Sequence, residues 1–300
     1  MATGLKWTCS WLPVGMFLLW GLTRTRTANS VAEPSLHAEA AQASGEAVLL
    51  ADTFDLNAID TSKWQVDSLF SGFSDASVSV ADNGQQLQIG PLKENASGSH
   101  YNGLGSAEKF NFSGAYCYVE VVSPPASNTA ADAMLTVGQD VNDFYRIYVE
   151  SGNLIVQRKA AGSKTTLLSQ PYDPVNDKFL RIRNDATTGS AVFEVAADNG
   201  GVPEAWSRVF SEAWSGSIPL GGIAFEIKAG TWQPESNPPG NVLFDNFRAA
   251  IASTAVGPSV SSVSPGSSGT AGGTAVSISG SGFSAGATVS FGGVAASAVT

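Results

Sequence analysis

The sequence predicts an all-β protein built as an antiparallel sandwich of two sheets, and three observations support this. From Ala47 onward, short runs of alternating or β-branched residues recur, with turn-forming residues between them. No window long enough for a helix shows sustained helical periodicity. Only 14% of the residues are charged, and 32 are glycine, a composition typical of extracellular β-proteins.

The predicted strands fill the middle of the chain and lack the spacing of βαβ units, so they imply two stacked sheets. They are Ser77–Val80, Gln86–Ile89, Tyr116–Val122, Ala133–Val137, Phe144–Glu150, Leu154–Lys159, Phe179–Asn184, Ala191–Ala196, Gly222–Ile227 and Val242–Arg248. We expect a hairpin loop at 151–153, because Gly and Asn tolerate a positive φ angle. Gly103-Leu104-Gly105 is expected to form a turn.

Alternation within the strands predicts one apolar and one polar side for each sheet. In Phe144–Glu150, the side chains of Arg146, Tyr148 and Glu150 share one side, and the apolar residues between them share the other. Sandwich packing requires this arrangement, because the apolar sides of the two sheets form the core.

The first 32 residues are expected to form a signal peptide. Trp11–Leu22 is a largely apolar run, too short for a helix that spans a bilayer, and Ser30-Val31-Ala32 offers small residues for cleavage. A buried helix or a misassigned start codon is the alternative. Residues 33–46 are expected to be a disordered spacer, because they lack an apolar stripe.

The central segment resembles a known family at three places, in the correct order. These are the opening Asp52-Thr53-Phe54 through Lys63-Trp64, the hairpin Tyr145-Arg146-Ile147 through Gly152-Asn153-Leu154, and the closing Asn241–Arg248. Together they resemble concanavalin A-like lectin and glucanase domains, of the laminin G-like type, over residues 47–250. The resemblance implies a jelly-roll sandwich that binds or cleaves carbohydrate.

The glucanases of this fold carry two glutamates on one strand, in a pattern like E-x-D-x-x-E, and the chain lacks that pattern. Its strand glutamates, Glu120, Glu150, Glu194 and Glu226, are each single within their strands. A diverged hydrolase or lyase would need carboxylates from different strands, such as Glu150, Glu194 and Glu226. A catalytic triad through His100, in a predicted loop, has no further support, so we assign no catalytic residues; the missing motif favours a noncatalytic protein, and enzyme activity stays open.

A carbohydrate site needs aromatic rings against which sugar faces stack, with polar groups for the hydroxyls. Trp232 lies in a long Pro- and Gly-rich loop between the last two strands, where packing explains a tryptophan less easily. Arg146 and Tyr148 share a polar strand side. We predict these three residues as ligand contacts, and we expect Trp64, Trp206 and Trp214 to be structural.

Many jelly rolls of this group hold a structural calcium ion between the first and last strands. The resemblance therefore implies Asp245, Asp52 and Asp55 as candidate ligands, with a role in strand-edge capping as the alternative. Calcium also needs backbone oxygens, which sequence does not identify. No cofactor is required, and structural calcium stays open.

Charge and cysteine content limit the classes of molecule that the protein is expected to bind. The formal net charge of −10 argues against nucleic acid, because phosphate binding needs clustered Lys and Arg. No nucleotide-binding loop and no stable membrane span are predicted. Cys9 lies in the predicted leader, so Cys117 would be the one cysteine of the exported protein, a small buried strand residue. A glycan or cell-surface polysaccharide is the expected partner.

After a linker at 251–257, residues 258–300 read Pro258-Ser259-Val260, then Val276-Ser277-Ile278-Ser279-Gly280, and later Val289-Ser290-Phe291-Gly292-Gly293. This closely resembles the IPT/TIG immunoglobulin-like domain. About half of such a domain is present, so we expect an incomplete Ig-like sandwich that is poorly packed in isolation.

Three functions are open at this point. The first is a noncatalytic binding or adhesion protein, secreted or on the cell surface, that binds carbohydrate through the jelly roll. The second is a diverged glycoside hydrolase or lyase. The third is a structural stalk without a small-ligand site, because a shared fold does not fix function.

Overall fold

The computed structural model describes residues 46–252, 259–267, 272–281, 288–291 and 294–297. These residues form two antiparallel sheets and two short two-stranded ladders, and they contain no helix, so no helix among them could span a membrane. The all-β prediction is confirmed. The predicted signal peptide and most of the spacer and linker lie outside the described residues.

Fifteen strands build the sandwich, β1 to β15. Their bounds are β1 Ala47–Asp52, β2 Trp64–Val66, β3 Val80–Asp82, β4 Leu87–Ile89, β5 His100–Ser106, β6 Ala115–Ser123, β7 Ala131–Asp140, β8 Asp143–Glu150, β9 Asn153–Ala160, β10 Ser163–Pro171, β11 Phe179–Asp185, β12 Ser190–Ala196, β13 Ser207–Ala213, β14 Ala224–Thr231 and β15 Val242–Ile251.

The strands are divided between an eight-stranded and a seven-stranded sheet. The first has the order β13-β12-β11-β6-β15-β4-β3, with β1 also paired to β15, and the second has the order β10-β9-β8-β7-β14-β5-β2. Every pairing is antiparallel, and both sheets join strands that are distant in sequence, such as β7 with β14. These crossovers are what the jelly-roll resemblance implied.

The core lies between the sheets and is built from every second residue of their strands. Tyr145, Ile147 and Val149 of β8 face Leu180 and Ile182 of β11 as members of one buried cluster. Burial of this apolar area is the main contribution to the stability of the sandwich. The predicted alternation is therefore confirmed in both sheets.

The opening motif packs into this core. Trp64 is buried, and its ring contacts Phe54 and Phe247 with centroid distances of 6.3 and 4.9 Å. Its Nε1 donates a hydrogen bond of 2.8 Å to Asp52 Oδ2. Trp64 is thus structural, as expected.

Two expectations about the glycine-rich region are wrong. Gly103-Leu104-Gly105 is not a turn, and His100 is not in a loop, because both belong to β5. Glycine is unfavourable in strands, but here it permits close packing, since a Cβ atom on Gly105 would lie 2.5 Å from the Ser68 carbonyl oxygen. Tertiary packing outweighs local propensity at this strand.

The predicted hairpin between β8 and β9 is confirmed. Glu150 pairs with Asn153, and Ser151 and Gly152 form the turn with φ angles of 51° and 71°. Cys117 of β6 is free and buried, and burial raises the pKa of its thiol. It is a core residue, as predicted.

Four short strands lie in the C-terminal segment. They are β16 Ser259–Ser264, β17 Ser277–Ser281, β18 Ser290–Phe291 and β19 Val294–Ala295, with β16 paired to β17 and β18 to β19. Val260, Val263 and Val294 are exposed, and Ile278 is only half-buried. The described residues of this segment do not close a core over these side chains.

Candidate functional site

The seven-stranded sheet turns one side to the core and carries polar and aromatic residues on the other, which we call the polar face. Its members alternate with core residues along their strands. They are Tyr101 of β5, Asp132, Met134 and Thr136 of β7, Arg146, Tyr148 and Glu150 of β8, Gln157 of β9, and Glu226 and Lys228 of β14.

Strand register arranges these residues in rows across the sheet. One row contains Glu226, Thr136, Arg146 and Gln157, because each is the pairing partner of the next. Asp132 and Glu150 are partners in another row. Four residues separate the rows along β8, or roughly 13 Å at the usual strand rise. The polar face thus has a guanidinium end and a carboxyl end.

Asp132 and Glu150 form a carboxyl pair at the second end. Glu150 is close enough to hydrogen-bond with Asp132, and Tyr101 donates its hydroxyl hydrogen to Asp132 Oδ2. Burial, followed by the charge of Glu150, raises the pKa of Asp132 well above its usual range. The carboxyl end of the polar face is therefore a closely spaced acidic pair.

Aromatic residues flank the carboxyl pair. Trp232, 47% exposed, donates from Nε1 to Glu150 Oε1 at 3.1 Å. Tyr148 is only 6% exposed, and Gln157 Nε2 donates to its hydroxyl at 3.5 Å. Two of the predicted ligand contacts, Trp232 and Tyr148, thus lie beside the same carboxyl pair.

Arg146, the third predicted contact, lies on the polar face without a carboxylate partner. Its guanidinium stacks over the Phe144 ring at 4.1 Å from the centroid, and Nη1 donates to Met134 Sδ at 3.5 Å. Within residues 46–252, the buried atoms without a hydrogen-bond partner include Asp132 Oδ1, Thr136 Oγ1 and Arg146 Nε. All three are on this face, and unsatisfied buried polar atoms are unusual in proteins.

The segment 67–75 lies over the β5 and β14 side of the polar face. Ser71 donates to both carboxylate oxygens of Glu226, from its backbone N at 2.8 Å and from Oγ at 2.5 Å. Lys228 Nζ donates to Ser71 Oγ and lies 3.4 Å from Glu226 Oε2. Burial lowers the pKa of Lys228 to about 8, against the opposing effect of Glu226. Glu226 and Lys228 therefore already have hydrogen-bond and ion-pair partners within the protein.

The other candidates for acid–base chemistry lie elsewhere. Glu194 is on the outer side of the eight-stranded sheet and binds Arg181 and Arg183. Glu120 accepts a hydrogen bond from Asn246 at 2.7 Å. His100 contacts Asp75 and the Ser97 carbonyl oxygen through its two ring nitrogens, which leaves neither for a serine nucleophile.

Of the suggested cross-strand carboxylates, Glu150 and Glu226 do share the polar face, but Glu150 pairs with Asp132 instead. Sequence reasoning missed Asp132 because the predicted strand began at Ala133. The register of the hairpin that joins β7 to β8 would have found it, since that register aligns Asp132 with Glu150.

The three aspartates predicted as metal ligands have different surroundings. Asp52 is buried, and its oxygens accept hydrogen bonds from Phe54 N and Trp64 Nε1. Both carboxylate oxygens therefore stabilise the fold. Asp55 is exposed and accepts a hydrogen bond of 2.6 Å from Thr53 Oγ1. Among the described residues, no group of three His, Cys, Asp or Glu side chains could hold a metal ion.

Asp245 is the predicted ligand whose environment is electrostatically unusual. Burial and the charges of Glu120, Asp55 and Asp82 raise its pKa to about 7. Asp82 is buried, and its Oδ1 has no hydrogen-bond partner. Sequence reasoning named neither Asp82 nor Glu120 here, because only the pairing of β15 with β6 and the order β15-β4-β3 bring them near.

Comparison with known proteins identifies the C-terminal segment. The family model of the IPT/TIG domain matches residues 258–300, which confirms the resemblance of that segment. A comparison with curated proteins finds no matching sequence.

Solved structures that resemble the chain come from carbohydrate-active proteins. An endo-1,3-β-glucanase from Streptomyces sioyaensis has 12% identity and a TM-score of 0.49, over 74% of this chain and 98% of that one. A GH43 protein from Bacillus licheniformis has 17% identity and a TM-score of 0.47, over 67% of this chain. The chain spans only 39% of that protein's length. These likenesses do not determine the activity of this chain, and the sandwich is established by its own sheets.

Proposed function

We propose that residues 47–250 bind carbohydrate, without cleaving it, on the polar face of the seven-stranded sheet. The observation that supports this most is the half-exposed ring of Trp232 beside the Asp132–Glu150 pair, on a face that also holds the unpartnered buried atoms Asp132 Oδ1, Thr136 Oγ1 and Arg146 Nε. The indole would stack against a sugar face, and the partly exposed Glu150 and Arg146 would bind sugar hydroxyls.

A glycan array probed with the full chain tests this proposal. Trp232→Ala should weaken binding about tenfold or more, because stacking and buried contacts at a site centre dominate affinity. Trp206→Ala is the matched control, since that ring lies over Arg181 on the other sheet. It should leave binding unchanged. Absence of binding to every glycan would reject the proposal and favour a structural stalk.

A diverged glycoside hydrolase is the second candidate, and the Asp132–Glu150 pair favours it. A carboxyl group with a raised pKa is suited to act as a general acid. Carboxyl groups of retaining enzymes lie roughly 5–5.5 Å apart, whereas these two are close enough to share a hydrogen bond. That closeness is why binding is our first proposal. Release of reducing sugar by the chain, lost in Asp132→Asn and in Glu150→Gln, would instead establish the hydrolase.

We further propose that the protein is exported and acts at the cell surface, where a polysaccharide is its partner. The apolar run Trp11–Leu22, which is too short to span a bilayer, and the IPT/TIG match at 258–300 support this. Fractionation of cells that express the full chain, with protease accessibility of the intact cells, would test the location.

Structural calcium near Asp245 is a separate proposal, supported by the buried, unpartnered Asp82 Oδ1 and by the charges of Glu120, Asp55 and Asp82, which with burial raise the pKa of Asp245. Backbone carbonyls would have to supply most of the six to eight ligands, and Asp52 does not fit as one. Calcium should raise the melting temperature of the chain relative to chelator, and Asp245→Asn should abolish that rise. An equal melting temperature with and without calcium would reject the site.

A further inference from the structure

Arg146 differs from the other half-buried arginines of the sandwich in its lack of an acidic partner. Arg158, Arg181, Arg183 and Arg248 each lie within an ion-pair distance of a glutamate or aspartate. Among the described residues, no ion pair involves Arg146. A half-buried guanidinium loses much of its hydration, so a missing counter-ion is energetically costly unless a ligand supplies one.

The contacts of Arg146 fix the plane of its guanidinium but leave donors free. The Phe144 ring supports one side at 4.1 Å, and among the described residues the one hydrogen bond of the group goes to the weak acceptor Met134 Sδ. A guanidinium that stacks on an aromatic ring keeps its N–H groups in the plane of the fork. This is the orientation in which arginine binds a planar carboxylate through two parallel hydrogen bonds.

The nearby acidic side chains do not act as counter-ions of the Arg146 guanidinium. Glu226, in the same row, is neutralised by Lys228 at 3.4 Å and accepts two hydrogen bonds from Ser71. Asp132 lies in the other row, where Tyr101 donates a hydrogen bond to it, and burial raises its pKa and so disfavours its charged form. The Arg146 end of the polar face therefore has an uncompensated positive charge, although the whole chain has a net charge of −10.

We propose that the polar face selects acidic glycans, with the Arg146 guanidinium binding the carboxylate of a uronate residue. This inference rests on the proposed carbohydrate site and names the class of sugar that it takes. Thr136 and Gln157 are the pairing partners of Arg146 on either side, and both are buried beside it, so the partly exposed guanidinium is the group of this row that a sugar would contact. Trp232 and the Asp132–Glu150 pair lie roughly 13 Å away along the strands. They would contact a neutral sugar of the same oligosaccharide.

The experiment compares matched ligands on the full chain by calorimetry. The probes are uronate-containing oligosaccharides, the same oligosaccharides with each carboxylate reduced to a primary alcohol, and sulfated neutral oligosaccharides. The acidic form should bind at least tenfold more tightly than its reduced form, because hydrogen bonds to charged groups are the stronger ones. Tight binding of the sulfated form alone would replace carboxylate by sulfate as the recognised anion and overturn the uronate assignment.

Three variants assign the effect to Arg146. Arg146→Gln should remove the preference for the acidic form, and Arg146→Lys should keep only part of it, because lysine has no planar fork. Arg208→Gln removes the same charge from the exposed edge strand of the other sheet and should keep the preference. Melting curves of each variant verify that it is folded.

Two outcomes separate this inference from the proposal on which it rests. If neutral and acidic oligosaccharides bind equally, and Arg146→Gln changes neither, the carbohydrate site stands and its selectivity for uronate is overturned. If the folded chain binds no oligosaccharide of any class, the carbohydrate site itself is rejected, and the inference with it.

Discussion

The outer sides of the two sheets carry similar residue types but differ in how their charges are satisfied. On the eight-stranded sheet, Glu194 lies 2.7 Å from Arg181 and 3.0 Å from Arg183, and Arg181 also stacks on Trp206 at 3.9 Å. On the seven-stranded sheet, Arg146 has no such partner and two carboxyl groups face each other. A surface whose charges are paired internally stabilises the fold, whereas one with unsatisfied groups is suited to a ligand.

This comparison predicts the largest loss of stability on the eight-stranded side. Glu194→Ala leaves Arg181 and Arg183 without their shared carboxylate, which should lower the free energy of unfolding by about 2–4 kcal/mol. Urea denaturation measures the change, and glycan binding of the folded fraction should stay unchanged. A loss of binding without a loss of stability would reverse the roles assigned to the two sheets.

A smaller loss is expected where segment 67–75 contacts the polar face. Ser71→Ala removes the hydroxyl between Glu226 and Lys228, and should cost about 1–2 kcal/mol. Amide hydrogen exchange should become faster in residues 68–74 and remain slow in β11 and β12. Unchanged exchange in the segment would mean that its backbone contacts alone hold it in place. The main such contact is the packing of the Ser68 carbonyl against Gly105.

The same segment should make stability depend on pH in the acid range. Ser77 and His100 lower the pKa of Asp75 to about 2 from 3.8. For a carboxyl group with a depressed pKa, the stabilisation is complete above pH 4 and is lost as the pH falls through 2. Asp75→Asn should therefore cost about 1–2 kcal/mol at pH 7, after allowance for solvent screening, and less below pH 3. Equal losses at pH 7 and pH 2.5 would contradict the assignment to Asp75.

The smallest change in stability is expected at Arg146. Arg146→Gln removes a half-buried charge that has no ion-pair partner, so the free energy of unfolding should change by less than about 1 kcal/mol. The contrast with Glu194→Ala is the sharpest test of the comparison. Equal destabilisation by both variants would show that Arg146 is a structural residue like Arg181.

Much of the sandwich was predictable because alternation is a local property of the chain. Arg146, Tyr148 and Glu150 share the polar face as the pattern required. The strands β1, β2, β5 and β10 were not predicted. β5 is glycine-rich and was taken as a turn, since its strand conformation depends on contacts with β14 and with Ser68.

The candidate site was predictable only in part. Trp232, Arg146 and Tyr148 lie on or beside the polar face, while their partners Asp132, Phe144 and Met134 were not recognised as such. The metal prediction named Asp245 but not Asp82, whose unpartnered oxygen is the stronger signal. Each omission concerns a residue on a neighbouring strand, which a pattern within one strand does not identify.

The sequence by itself determined that the chain is β-structured, which side of each strand is buried, and that residues 258–300 resemble an IPT/TIG domain. Only the tertiary structure decided that Asp132 lies beside Glu150, that Ser71 hydrogen-bonds with Glu226 and Lys228, and that Arg146 has no ion-pair partner among the described residues. The physical reason is that alternation depends on neighbours along the chain, whereas pairing of charges depends on strand order and register, which long-range packing sets.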